Sequence, residues 1–317
     1  MDFKNLRYFL GVFDAKSITK AAEQLSVAQP ALGLQIRKLE EELGVELFYR
    51  HSRGVTPTEA GALLAKHARG LLLQFERAKQ DLIDFGGKPH GRIAVGMTTT
   101  TGLVLAAELA ERSREAYPEV TLTMSEGLSE RLMEWVDSGQ IDIALTYNPD
   151  AVTGLICEPL VTEALYFVQA GGGSPADEEP VALTEVLKHR LLLPSRPHLL
   201  RLLVDDAAKK SGAQPEIVFE VDSVAVLKEL VQRGLGSTVL PYGAVLPAVE
   251  AGSLRARRID EPRLDRTLYM AYSNKHPASK AFVTISRLIT DVVLDLAESG
   301  VARWAPISKR AESGALL

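Results

Sequence analysis

Two sets of residues have the types and spacing to do chemistry. The first is made of amides and cations. Gln29, Gln35, Arg37 and Lys38 fall close together, and Arg50 and Arg53 follow on either side of His51-Ser52. A glutamine amide can pair at two points with adenine, and arginine or lysine suits guanine or a phosphate oxygen. Arginines at a hairpin tip can meet phosphates or a minor groove, although such a tip can equally be a solvated basic turn. The second set is rich in hydroxyls: Thr98, Thr99, Thr100 and Thr101, then Gly127-Leu128-Ser129, Pro194-Ser195-Arg196 and Asp222-Ser223. Each stands where an apolar run gives way to a helical pattern. Helix N-termini carry unpaired N–H groups and positive partial charge, so donors placed there suit a small anion such as a carboxylate. The alternatives are ordinary. One threonine can cap the helix while the others turn the chain, Arg196 can be a surface arginine, and Ser223 can be an N-cap.

Catalytic and metal chemistry leave little trace. No serine, histidine and acid constellation can be picked out. The six histidines (His51, His67, His90, His189, His198 and His276) show no metal-ligand spacing. The single cysteine, Cys157, can form neither an intramolecular disulfide nor a cysteine-built zinc site, and its isolation reads as an inert thiol rather than a redox sensor. No cofactor or metal is expected.

The elements that position the first set occupy the first ninety residues. Phe3, Leu6, Phe9, Leu10 and Phe13 share one face of a helix over 2–13. Ser17 caps a second helix over 18–25, whose Ala21-Ala22 pair permits close crossing. After a break at Ser26-Val27-Ala28, Pro30 fits the first turn of a third helix that runs to Leu43 and stops at Gly44. Three helices with a short break between the second and third make a helix-turn-helix. Val45 to Val55 then reads as strand, basic turn and returning strand, a wing. Thr56-Pro57-Thr58-Glu59 has the form of a capping box with Thr56 at the cap, opening a long helix to about Phe85. The apolar stripe on that helix, which includes Leu63, Leu71 and Phe75, needs a partner. Either the same helix of a second chain or its own domain can supply one.

The second set sits on a different texture. From Arg92 onward, strands over 93–97, 120–124 and 141–145 alternate with helices over 103–116 and 128–137, which implies a parallel sheet. After Val161 the pattern restarts, with strands over 164–169, 191–193, 217–220, 237–240 and 266–272. Helices are expected over 199–210, 224–232 and 279–298, and residues 300–317 read as a loose tail.

Composition fits this division. The 317 residues are 46% hydrophobic and 24% charged, a globular balance long enough for several compact units. Residues 1–88 carry 13 basic against 11 acidic side chains, a net +2, and the remainder 23 against 30, a net −7. A mildly basic head on an acidic body suits nucleic-acid contact at one end. Neither an export signal nor an apolar run long enough to span a membrane is visible, so a reduced cytoplasmic protein is expected.

Short motifs in order then carry a resemblance. They are Ser17-Ile18-Thr19-Lys20-Ala21-Ala22, Val27-Ala28-Gln29-Pro30-Ala31-Leu32, Gln35-Ile36-Arg37-Lys38-Leu39-Glu40 with Leu43-Gly44, Leu47-Phe48-Tyr49-Arg50 and Thr56-Pro57-Thr58-Glu59-Ala60-Gly61. Together they resemble the DNA-binding domain of LysR-type transcriptional regulators, in tone closest to the nitrogen-assimilation-regulator branch. The resemblance implies an α/β chain with an N-terminal winged helix-turn-helix (1–58), a linker and dimerisation helix (59–89), an effector domain (90–300) and a tail (301–317). The effector domain would be periplasmic-binding-protein-like, with subdomains at 90–161 plus 267–300 and at 162–266, crossing near 162 and returning near 267.

The resemblance also implies partners: promoter DNA, a small effector in the cleft, a second or further copies of the chain as homodimer or homotetramer, and RNA polymerase, with no membrane. DNA contacts would come from Ser17, Thr19, Gln29, Pro30, Gly33, Leu34, Gln35, Arg37, Lys38, Arg50 and Arg53. The chain departs from the family at Gly33, where a serine is usual, and at Leu34, where a polar residue is common. Glycine in a helix costs about 0.5–1 kcal/mol relative to alanine and offers no hydroxyl to a base or phosphate. Two rival classes stay open: a solute-binding protein with a helical dimerisation head, and an α/β enzyme with a helical appendage.

Overall fold

Asp2 accepts a hydrogen bond from the amide of Asn5 at 2.7 Å and starts α1 (Phe3–Ala15). The computed structural model describes residues 1–51, 54–83, 87–171, 179–274 and 279–307. Two units are distinct, one holding Met1–Lys88 with Trp135–Gln140 and the other Pro89–Glu134 and Ile141–Leu317.

In the first unit Ser17 caps α2 (Ile18–Gln24) by accepting from the Lys20 amide at 3.4 Å. Ala21 and Ala22 of α2 are buried, as close helix crossing requires. α3 (Gln29–Leu43) has Pro30 in its first turn and ends at Gly44, whose φ of +69° is the left-handed geometry that glycine adopts without strain. Leu32, Ile36 and Leu39 point inward to join Leu6, Phe9 and Val12. The wing is β1 (Phe48–His51) antiparallel to β2 (Gly54–Pro57), with His51 opposite Gly54. Gly54 has φ +140°, and a Cβ there would stand 2.5 Å from the Lys16 carbonyl oxygen, so the wing lies hard against the α1–α2 turn.

α4 (Glu59–Ile83) follows, and its cap differs from the expected one. Thr56 is paired with Tyr49 inside β2 and Pro57 with Phe48, so their backbone belongs to the wing. The cap is Thr58, whose hydroxyl donates to the Glu46 carbonyl at 2.7 Å and accepts from the Gly61 amide at 3.0 Å. Ala65 and Ala68 of α4 are buried in the head's own core, flanked by Ala60, Leu64 and Leu72. Leu63, Leu71 and Phe75 remain at the surface, with the Phe75 ring 4.6 Å from that of Phe3. The expected end of this helix near Phe85 lies outside the described residues.

The second unit opens with β3 (Gly91–Met97), α5 (Thr99–Ala116), β4 (Val120–Glu126), α6 (Ser129–Asp137) and β5 (Ile143–Tyr147); β3 runs parallel to β4 and β5. α5 starts earlier than its apolar pattern, because the Thr98 carbonyl already accepts from the Gly102 amide at 2.9 Å. Then comes β6 (Leu155–Ala170), a single strand where a break near Val161 was expected. It is followed by β7 (Val181–Ala182), α7 (Leu183–Val186), β8 (Arg190–Leu193), α8 (Leu199–Lys210), β9 (Glu216–Glu220), α9 (Val224–Gln232), β10 (Thr238–Pro241), α10 (Tyr242–Glu250), β11 (Leu254–Asp260), β12 (Asp265–Ser273), α11 (Lys280–Glu298) and β13 (Trp304–Pro306).

β6 pairs antiparallel with β12 up to Ala164 and, from Leu165 onward, with β10 and β11. One strand therefore serves two cores. The first gathers Val95, Leu105, Leu109, Ile143, Leu145 and Ile285, and the second Phe167, Leu192, Val204, Leu227, Val239 and Leu254. The sheet order β4-β3-β5-β12-β6-β11-β7 is mixed rather than wholly parallel, because the two strands that pass between the cores run antiparallel to each other. The closing segment also departs from a loose tail. Trp304, Ala305 and Pro306 pair with Glu163, Thr162 and Val161 of β6, and Ala302 and Trp304 are buried. Burying an indole and pairing along β6 hold residues that carry no helical or strand periodicity. Residues 308–317 lie outside the described residues.

Candidate functional site

The outer face of α3 is what remains once Leu32, Ile36 and Leu39 turn inward. Gln29, Pro30, Leu34, Arg37 and Lys38 are exposed, Leu34 to 52%, while Gln35 and Gly33 are half-buried. A Cβ on Gly33 would meet nothing within 4 Å. Neither Arg37 nor Lys38 has an ion-pair partner among the described residues, so their charges are available to a polyanion. Thr19 is exposed on α2, and Ser17 spends its hydroxyl on the cap. Arg50 is tied to Glu40 at 2.9 Å, and the same carboxylate accepts from the Leu47 and Phe48 amides at 3.0 and 3.3 Å. Glu40 thereby fixes the root of the wing to α3. Arg53 lies outside the described residues.

In the second unit the four threonines have separate duties. Thr98 is the N-cap of α5 without a capping side-chain bond; its hydroxyl instead meets that of Thr101 at 2.9 Å. Thr99 donates to the Glu126 carboxylate at 2.5 Å. Thr100 accepts from Nη2 of Arg266 at 2.8 Å, and Thr101 donates to the Tyr147 hydroxyl at 3.3 Å. Ser129 accepts from the Tyr147 amide at 3.4 Å, the Gly127 amide donates to the Met97 carbonyl at 3.2 Å, and Leu128 is exposed. In the other half the Ser195 hydroxyl and amide both donate to Asp222, at 2.5 and 2.9 Å, and these bonds hold the Asp222 carboxyl below its ordinary range. Ser223 caps α9 through the Val226 amide at 3.4 Å. Arg196 is drawn to Asp205 of α8 at 2.7 Å, on the wall of an open pocket of about 840 Å³ that Arg201 and Lys209 also line.

What Thr100 and Thr101 are drawn to was not visible in the sequence. Arg266 is 3% exposed, lies 2.7 Å from Glu163 through Nε, and stacks over the Tyr147 ring at 3.6 Å from its centre. Glu163 accepts in addition from the Trp304 indole at 2.7 Å. Burial pushes the Tyr147 phenol well above its ordinary value, so Tyr147 stays neutral. His198 caps α8 by accepting from the Leu200 amide at 3.2 Å, and burial first, then the charge of Arg266, holds its imidazole below its ordinary value. Arg266, Glu163, Tyr147, Trp304 and His198 are scattered over 158 positions. Their only local signal is a charged residue inside an otherwise apolar strand pattern, at Glu163 and Arg266.

Two family descriptions match the chain: "Bacterial regulatory helix-turn-helix protein, lysR family" over residues 3–62, and "LysR substrate binding domain" over residues 86–293. The chain belongs to the LysR family. It is 32% identical over 294 residues to the nitrogen assimilation regulatory protein nac of Klebsiella aerogenes, covering 92% of this chain and 95% of that one. The nac protein of Escherichia coli K12 matches at 31% over 297 residues, covering 92% and 95%. The LysR fold recurs in a full-length OxyR variant from Pseudomonas aeruginosa, with TM-score 0.71, 24% identity and coverage of 92% and 97%. It recurs also in full-length CbnR complexed with its target DNA, with TM-score 0.69, 21% identity and coverage of 93% and 99%. As a LysR-family member the chain is a DNA-binding transcriptional regulator with a substrate-binding domain, not an enzyme.

Proposed function

We propose that this LysR-family regulator reads promoter DNA with α3 and the wing, and binds a small anionic effector between the two halves of its second unit. The observation that carries the DNA reading is the free outer face of α3, where Gln29, Pro30, Leu34, Arg37 and Lys38 stand clear of the head's core. A helix presented this way can enter a major groove with amides and cations foremost. Residues 1–58 would form the DNA head, 59–89 the linker, 90–300 the effector domain and 301–317 its end. Leu63, Leu71 and Phe75 of α4 offer an apolar face to the same helix of a second copy, as a homodimer or homotetramer. A regulator seated on a promoter would act on RNA polymerase there. No described helix is long and apolar enough to cross a membrane, in keeping with a cytoplasmic site of action. An anionic effector is supported by the helix N-termini of α5, α6, α8 and α9 and by the cation Arg266.

For such a ligand to regulate, it must bind two arrangements of the protein with unequal affinity. Salt-titrated binding to promoter fragments tests the DNA reading. Saturable, sequence-dependent affinity that falls steeply with salt is expected. Binding indifferent to both sequence and salt would overturn it and favour a solute-binding protein whose head ignores DNA.

A further inference from the structure

The outer face of α3 carries two neighbours that the packing of the head does not explain. Gly33 sits in the second turn, and a Cβ there would meet nothing within 4 Å. Its backbone is helical, so no left-handed turn calls for a glycine either. A glycine weakens a helix relative to alanine, and the reason for this one therefore lies outside the fold. Leu34 follows it, exposed to 52%. Single surface leucines are ordinary, so the weight falls on where this one stands.

At about 3.6 residues per turn, Leu34 falls opposite the buried stripe of Leu32, Ile36 and Leu39, at the crest of the helix. Pro30 lies one turn before it and Lys38 one turn after, with Ala31 and Arg37 beside it, and all four are exposed. The two cations favour a polyanion over an apolar protein surface as the occupant of this face. An apolar crest among cations is matched by one feature of a major groove. There the C5 methyl of thymine is the apolar group on a base edge, whereas the other bases present donors and acceptors. Gly33 stands on the flank of the crest, one turn before Arg37. Without a Cβ at that point the backbone can come closer to a ligand.

We infer that Leu34 is a base-reading residue of this regulator, meeting the C5 methyl of a thymine in the bound site, and that Gly33 leaves room for α3 to bring it there. The contact tells thymine from cytosine by an apolar group, while the amide and cations on the same face serve polar base edges and phosphates. This rests on the proposed entry of α3 into the major groove, and names one residue and the base that it selects.

Duplexes enriched from a random pool by the full-length chain supply the site. Each thymine would be replaced in turn by deoxyuridine, which keeps the base pairing, loses only the methyl and alters no protein atom. For the parent chain, replacement at one thymine position should weaken binding by about threefold to fivefold, the value of one buried methyl group. Leu34→Ala should lose a similar factor on the thymine duplex and become indifferent to that replacement. Lys38→Ala should bind more weakly throughout and keep the full effect of the replacement. Gly33→Ala should weaken the enriched duplex more than a random one, and far-ultraviolet circular dichroism shows that each variant is folded. An effect of deoxyuridine unchanged in Leu34→Ala, or absent at every thymine, would overturn the assignment to Leu34 and leave the DNA reading of α3 standing. Gly33→Ala binding the enriched duplex as tightly as the parent would overturn the close approach. A pool that enriches no sequence would overturn the DNA reading itself and this inference with it.

Discussion

The same substitution, glycine to alanine, should have opposite signs at two helical positions of the head. At Gly61, near the start of α4, a Cβ would stand 2.2 Å from the Leu47 carbonyl oxygen, against a practical floor of 3.0 Å. The obstacle is backbone, and that backbone is committed. Leu47 accepts from the Thr58 amide at 3.0 Å, and its own amide donates to Glu40 at 3.0 Å. Making room by roughly an ångström is overpacking, which costs about 1–3 kcal/mol. The shift also endangers two hydrogen bonds of the Thr58 cap, each worth about 0.5–1.5 kcal/mol. Against these stands a helix-propensity gain of about 1 kcal/mol. The balance for Gly61→Ala is a loss of about 2–4 kcal/mol, a large share of a typical domain's stability of about 5–15 kcal/mol.

At Gly33, in the second turn of α3, a Cβ meets nothing within 4 Å. Gly33→Ala should stabilise the head by about 0.5–1 kcal/mol, through helix propensity and a less free unfolded chain. Hydrogen exchange at the amides of α1 to α4 reads the head separately from the second unit and would show protection falling in one variant and rising in the other. A Gly61→Ala head as protected as the parent would refute the packing argument. A destabilised Gly33→Ala would mean that its face is covered by something the geometry omits.

Further outcomes follow from single side chains. Glu40→Ala strands the Leu47 and Phe48 amides and frees Arg50, and should cost about 1–3 kcal/mol in urea unfolding, with Glu40→Gln recovering part of it. His198 has a depressed pKa in the folded chain, so the unfolded chain takes up its proton first as pH falls. Its contribution is intact above the unfolded value of about 6.5 and is lost as pH falls from there through the folded value. His198→Asn should flatten that part of a stability-against-pH curve, and an unchanged slope would refute the assignment. Lys38→Ala should weaken binding on every sequence and reduce the log–log salt slope by about 0.9, as expected for one phosphate contact; a loss confined to particular bases would instead make Lys38 a base reader.

Local patterns carried the head. Ser17, Pro30, Gly44 and the apolar spacing each act within a few residues of chain, and they mark α1, α2 and α3 closely. α8 and α9 were likewise legible end to end, because an apolar face and a capping turn bound each of them. The cap of α4 was misplaced for an instructive reason. Thr56-Pro57-Thr58-Glu59 contains two threonines able to cap, and only the pairing of Thr56 with Tyr49 across the wing decides between them. β6 was cut short in the sequence reading because Glu158, Pro159 and Glu163 interrupt the apolar run, whereas its continuity comes from ladder bonds to β12.

The cleft shows the same limit more sharply. The threonines at 98–101 were legible as a hydroxyl cluster at a helix start, which is a local fact. What two of them bind is not local: Thr100 meets a residue 166 positions away and Thr101 one 46 positions away. Arg266 and Glu163 each look, in isolation, like a charge out of place in an apolar strand. Put opposite each other where β6 leaves one core for the other, they become a place where a buried cation can sit at the boundary of both halves without a net charge being buried. The same arrangement explains why Trp304, beyond the matched substrate-binding region of 86–293, is folded back onto β6. Without its indole bond one oxygen of the buried Glu163 carboxylate would lose its donor, and the pair with Arg266 would lose a contact that holds it in place between the two cores.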